Sequence, residues 1–257
     1  MNVAAMPTRR LWMIHLVSLA SVGVWAMLDL RFEAMMGSVV GAFSTSLGES
    51  LPIVIEQTGT VRIVVLGVVV FSAVSTLGLL LVRVFRSDFR SRSRSVLALL
   101  SMVTVSALWC GVVINHSAFA WQGNRFRMVM KVPTLETIAA PLRRDWPRED
   151  GNLSGVGPFM AYPFGRPSTL VLLESPSVSG GGLYIAAVER QSDGAILLQL
   201  SGTSHDDWAQ WHPPSSRPES FVGGLSDPHE LESWTYVGQG WYLVRYRSPD
   251  VRDVVRI

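Results

Sequence analysis

Residues 63–82 read IVVLGVVVFSAVSTLGLLLV, twenty consecutive positions with no ionisable side chain. An α-helix rises about 1.5 Å per residue, so this run covers the ~30 Å hydrocarbon layer of a bilayer. There a lipid-exposed segment satisfies its backbone only as a helix. Two further runs reach the same length: residues 96–117, beginning VLALLSMVTVSALWCGVVI with Cys110 as the only ionisable group up to Ile114, and residues 11–30, LWMIHLVSLASVGVWAMLDL, which include His15 and Asp29. The composition agrees, since only 16% of residues are charged, against about a quarter in soluble domains. The expected architecture is a membrane protein with three transmembrane α-helices.

Between the second and third runs, residues 83–95 read RVFRSDFRSRSRS, with Arg83, Arg86, Arg90, Arg92 and Arg94 against a single Asp88. Arg9 and Arg10 precede the first run, whereas the connection at 31–62 carries arginine only at its two ends. The positive-inside bias therefore predicts that residues 1–10 and 83–95 are cytoplasmic, and that the chain after Trp121 is outside, across a bacterial cytoplasmic membrane. These seven arginines read as topology anchors. Nucleic acid is not an expected partner, because no set of stacking aromatics or folded module accompanies the charges. Two arginines ahead of an apolar run containing VWA also resemble a cleaved leader, the alternative to a retained first anchor.

Of the 22 basic residues all but Lys131 are arginine, so arginine is simply this chain's cation and its presence at a position is not evidence of a ligand. The single cysteine, Cys110, lies inside an apolar run; it excludes an intrachain disulfide and any CxxC motif.

In the outer connection, 31–62, Val39, Phe43, Leu47 and Leu51 recur every fourth residue, predicting one amphipathic helix that ends near Pro52. Such a helix would lie along the membrane surface or pack beneath the outer domain. His15 falls within the first run and is expected to meet the interface or a backbone carbonyl. Asp29 and His116, both placed near the outer boundary, are expected to pair between the first and third helices.

From residue 125 the pattern changes to short alternating segments separated by Pro, Gly and Ser, long enough for a domain with its own core. RFRMVMKV, 125–132, alternates Phe126, Met128, Met130 and Val132 with charged residues and predicts a strand. Leu135, Ile138, Ala139 and Leu142 predict a helix after it, capped by Thr134. Further strands are expected at STLVLLE, LYIAAVERQ, AILLQLS and WYLVRYR, with hairpin turns at 191–194 and 238–240. The fold expected for 125–257 is a small β-rich α+β extramembrane domain.

Chemistry-bearing motifs are sparse. GxSxG, HExxH, Walker A and SxxK patterns are missing, and Gly155 with Gly157 does not extend to a dinucleotide fingerprint. The densest group of usable side chains is SHDDWAQWHP, where His205, Asp206, Asp207 and His212 offer nitrogen and oxygen donors for a divalent metal or an acid–base pair. The spacing of the two histidines matches no standard zinc motif, and Trp208 and Trp211 are spaced to pack one helical turn on a sheet. No cofactor is predicted.

The expected function is a polytopic envelope protein that presents a non-catalytic outer domain to a membrane or envelope partner, protein or otherwise, with the lipid bilayer as its other contact. The alternative is a membrane-tethered, metal-dependent hydrolase built on residues 205–212.

Overall fold

The structure, a computed structural model, describes residues 8–44, 55, 58–86, 92–179, 182–203 and 205–247. It forms two units, Met1–Gly123 and Asn124–Ile257.

The first unit contains α1 (Thr8–Leu28), α2 (Phe32–Ser44), α3 (Thr60–Arg86), α4 (Arg92–Ile114) and the start of α5 (His116–Arg144). Three stretches, Arg9–Leu28, Thr60–Val82 and Val96–Ile114, are long and apolar enough to cross a membrane, as an integral membrane protein requires. Their outward side chains, among them Val68, Phe71, Val74, Leu97, Leu100 and Val103, are exposed and apolar. In water so large a contiguous patch would drive aggregation, whereas hydrocarbon matches it.

Packing sets the helix directions. At one end Leu11, Leu80 and Met102 form a buried cluster. At the other, Val22 and Ala26 pack with Phe32, Met35 and Met36, flanked by Ile63, Leu66 and Trp109. α1 and α4 therefore run in the same direction, with α3 antiparallel to both. The helix ends that carry Arg9 and Arg10, Arg83 and Arg86, and Arg92 and Arg94 consequently lie at one end of the bundle; Arg90 lies outside the described residues.

Two expectations change here. The buried stripe of α2 is Phe32, Met35 and Met36, not the stripe through Val39, and it packs against other helices of the unit; Leu47 and Leu51 lie outside the described residues. Asp29 does not pair with His116. Its carboxylate accepts from Arg62 at 2.7 Å and from the Trp25 indole at 3.1 Å, while His116 Nδ1 sits 2.9 Å from the Val113 carbonyl oxygen. Arg62 is a permanent cation presented one helix away, so it takes the carboxylate. His15 lies within the helix bundle and not at an interface, and the Ala73 backbone is one of its hydrogen-bond partners, as expected. It is fully buried, its Nδ1 3.2 Å from the Thr76 hydroxyl and its Nε2 accepting the Trp109 indole N–H at 3.0 Å.

In the second unit, residues 125–132 are helical and belong to α5, not to a strand. Met128, Val132, Leu135, Ala139 and Leu142 are buried in one helical stripe, while Phe126 and Met130 are exposed. Positions four apart share a face in both a strand and a helix, so Met128 and Val132 alone fit either reading; the exposure of Met130 separates them. Pro133 and Pro141 lie inside the helix, and the Thr137 hydroxyl donates to the Pro133 carbonyl at 2.9 Å.

The sheet comprises β1 (Gly151–Leu153), β2 (Gly157–Tyr162), β3 (Thr169–Leu172), β4 (Ser177–Ser179), β5 (Leu183–Arg190), β6 (Ile196–Ser201), β7 (Asp206–Trp211), β8 (Phe221–Val222), β9 (Pro228–Gly238) and β10 (Trp241–Arg247). All the pairings are antiparallel, in the order β1-β2-β3-β5-β6-β7-β10-β9-β8, with β4 paired to β5 off this path. The chain meanders to β7 and then returns in reverse, which seats β10 beside β7. The β5–β6 turn closes through Gln191 N–H to the Ala195 carbonyl at 3.0 Å, and Gly194 holds φ +89°. That angle carries a steric penalty for any side chain with a Cβ.

One face of the sheet meets α5. The Trp241 indole donates to Glu136 at 3.1 Å, and the Arg143 guanidinium, also paired to Glu136, lies 4.1 Å from the centre of the Trp211 ring. The opposite face is covered at one end by the segment after β7, where Phe221 packs edge-on to Trp208 and Tyr246.

Candidate functional site

Within the segment SHDDWAQWHP, residues Asp206–Trp211 form β7 rather than a helical turn. It lies between β6 and β10 near the middle of the sheet, where a strand is buried on both faces. Alternation then sends adjacent side chains to opposite sides. Asp207 turns to the α5 face and meets Arg245, its β10 register partner, with Nε to Oδ1 at 2.7 Å and Nη2 to Oδ2 at 3.1 Å. Asp206 turns the other way, accepting from the Trp208 indole at 2.7 Å and facing His229 Nδ1 at 2.7 Å.

His212, just beyond the strand, places Nε2 2.9 Å from Gln210 Oε1 and Nδ1 2.9 Å from the Ser216 hydroxyl. Burial depresses its pKa, against the opposing charge of Asp193. His205 precedes the strand, and its carbonyl accepts the Thr203 hydroxyl at 2.8 Å. The four residues nominated from sequence thus divide among separate networks. Among the described residues, no three His, Cys, Asp or Glu side chains are grouped to hold a metal ion.

Sequence reading missed His229. This buried imidazole faces Asp206 through Nδ1, while its Nε2 lies 2.8 Å from Asp227 Oδ2 without hydrogen-bond alignment. Phe221 stacks on it at 4.7 Å and Trp208 packs edge-on at 5.0 Å. Burial alone would lower its pKa, but the hydrogen bond and charges of Asp206 and Asp227 prevail and raise it. Nearby Glu189 accepts from the Gly224 N–H at 3.2 Å; burial pushes its carboxyl up.

A catalytic histidine orients one nitrogen with a carboxylate and offers the other to a nucleophile. Here both nitrogens face carboxylates, which favours a structural imidazolium. No family model, characterised protein or solved structure matches the chain.

The uncovered end of the same sheet face carries an aromatic row. Trp234 and Tyr236 on β9 pack edge-on to Tyr242 of β10 at 5.5 and 5.3 Å, and are 43% and 51% exposed. His212 lies 5.5 Å from Tyr242, so the row adjoins the polar network. A register shift creates this surface: Arg245 pairs with Ser233 but Tyr246 pairs with Leu231, which leaves Glu232 as an extra residue. The bulge puts His229 and Leu231 before it, and Trp234 and Tyr236 after it, on one face. Strict alternation along β9 would separate them, so sequence periodicity hides the row.

Proposed function

We propose that this chain is an integral membrane protein of a bacterial cytoplasmic membrane, and that its second unit is a non-catalytic binding module on the outer side, presented to a protein or envelope component. The exposed aromatic row of Trp234, Tyr236 and Tyr242 carries this reading. Aromatic side chains supply large contact area at low entropic cost, and exposed neighbouring rings are a recurrent feature of binding surfaces. The internal pairing of Asp206, Asp207, His212 and His229 supports a binding role over a hydrolytic one.

The clustering of arginine-bearing helix ends at one end of the bundle supports a cytoplasmic N-terminus under the positive-inside bias. The contacts of His15 with α3 and α4 support α1 as a retained anchor. Proteolysis of spheroplasts carrying a C-terminal epitope tests the orientation: the expected result is loss of the epitope with a cytoplasmic control spared, and full protection of a tag cleavable after lysis overturns it. Photo-crosslinkers at Trp234 and Tyr236 test the binding surface. A discrete adduct, not formed from Glu230 on the same strand, is expected; identical labelling from all three positions would remove the aromatic row as the site.

A further inference from the structure

A second surface of the Asn124–Ile257 unit is a groove of about 550 Å³. It is lined by Arg144 and Arg148 at and beyond the end of α5, Arg166 from the β2–β3 loop and Arg190 at the end of β5, with Trp146 and Asp145 between them. These residues come from three separated stretches of sequence. The walls are joined by the Trp146 indole donating to the Pro167 carbonyl at 2.8 Å and the Arg190 N–H donating to the Ser168 carbonyl at 2.8 Å. The Arg190 guanidinium lies 6.0 Å from the centre of the Trp146 ring.

Elsewhere Arg62, Arg143, Arg245 and Arg247 each hold a carboxylate. Among the described residues none of the four groove arginines forms an ion pair, although Asp145 lines the same groove. A helix C-terminus favours a cation in its last turn, which accounts for Arg144 but not for Arg166 or Arg190. Four like charges converging on one concavity repel one another, and an anion entering it removes that repulsion. Guanidinium forks match the oxygens of phosphate in geometry and charge.

We infer that this groove binds a phosphate group, carried either by a soluble phosphate or by an anionic lipid headgroup. Phe164, beside the groove-lining Gly165, is fully exposed and would supply an apolar contact to a lipid source. The inference goes beyond the proposed binding module and does not depend on the aromatic row.

Calorimetric titration of the full chain in non-ionic detergent tests it, with inorganic phosphate, dihexanoyl phosphatidylglycerol and dihexanoyl phosphatidylcholine as probes. At least one of the two anionic probes should bind, with affinity about tenfold or more weaker in Arg148→Gln/Arg166→Gln/Arg190→Gln and falling with added salt. Arg86→Gln/Arg92→Gln/Arg94→Gln, which removes charge from the other basic segment, should leave that groove-dependent component unchanged. Binding of phosphate and lipid alike, both lost in the triple groove variant, assigns a soluble phosphate. Binding of phosphatidylglycerol alone, weakened also by Phe164→Ser, assigns a lipid headgroup. The single variant Arg166→Gln, confined to a loop, reports the same loss should the triple variant misfold. Equal titrations of wild type and both groove variants with every probe would overturn the inference, whatever the crosslinking from Trp234 and Tyr236 shows.

Discussion

Asp207 and Arg245 face each other across β7 and β10 in a buried, two-pronged ion pair, with almost no exposed surface on either side chain. Burial makes the pair expensive to form but more expensive to break, because removing one partner strands a charge. Arg245→Met is therefore expected to destabilise the second unit by about 3–5 kcal/mol, and Arg245→Met with Asp207→Leu to recover most of that loss. Denaturant unfolding of the full chain in detergent, followed by tryptophan fluorescence, measures both. A loss in the double variant equal to the sum of the Arg245→Met and Asp207→Leu losses would show that the pair contributes no coupling.

His229 gives the second unit a pH dependence of defined sign. Its pKa is raised in the fold, so its contribution is fully present below the unfolded value of about 6.5 and is lost as pH rises through the folded value. The stability gap between wild type and His229→Gln should be widest near pH 5 to 6 and narrow toward pH 9. His212 acts oppositely: its pKa is lowered, so its contribution is present above about 6.5 and declines on acidification. Unfolding midpoints across this range, for each variant alone, separate the two; a gap for His229→Gln that widens with pH would contradict the imidazolium assignment.

Within the helical unit, His15 joins three helices through Thr76 and Trp109. Polar contacts between helices in hydrocarbon are worth about 0.5–2 kcal/mol each. A double-mutant cycle of His15→Leu with Trp109→Phe should show coupling of that order in detergent unfolding. Additive losses would mean that the observed contact carries no energy of its own.

The Asp29–Arg62 pair makes a parallel prediction. Asp29→Asn and Arg62→Gln should couple by about 0.5–1.5 kcal/mol, whereas Asp29→Asn and His116→Gln should be additive within about 0.5 kcal/mol. The reverse pattern in the same unfolding assay would favour the histidine as partner.

Gly123 tests a close approach of α5 to the end of α1. A Cβ built there would stand 2.5 Å from the Met27 carbonyl oxygen and 2.6 Å from its Cα. Both are immovable backbone atoms, so Gly123→Ala should cost about 1–3 kcal/mol through overpacking. Gly111 has nothing within 4 Å of the same position, and Gly111→Ala should be neutral or slightly stabilising in thermal unfolding. Equal effects at the two glycines would show that α5 does not approach Met27 so closely.

Some of the site was legible before folding and some was not. The segment 205–212 could be singled out because its side chains are chemically dense, but their distribution between two sheet faces required knowing that the segment is a central strand. His229 and Asp227 lie more than twenty residues from Asp206 in sequence, and β7–β10 pairing with β9 alongside brings them to it. The groove arginines gave no local signal, since single arginines in a chain using arginine for nearly every cation do not stand out.

Uninterrupted apolar length determined three membrane-competent helices without tertiary information, because hydrocarbon thickness and backbone hydrogen bonding act on each segment alone. Alternation and turn chemistry likewise placed the strands around Leu170, Val188, Leu198 and Val244. Only the tertiary structure decided that residues 125–132 are helical, because Met128 and Val132 satisfy both periods and the exposure of Met130 resolves them. It also decided that Asp29 meets Arg62, that β10 sits beside β7, and that the β9 bulge exposes Trp234 and Tyr236 together. Each depends on which distant segment arrives as a neighbour, a choice made by packing and charge pairing across the folded chain.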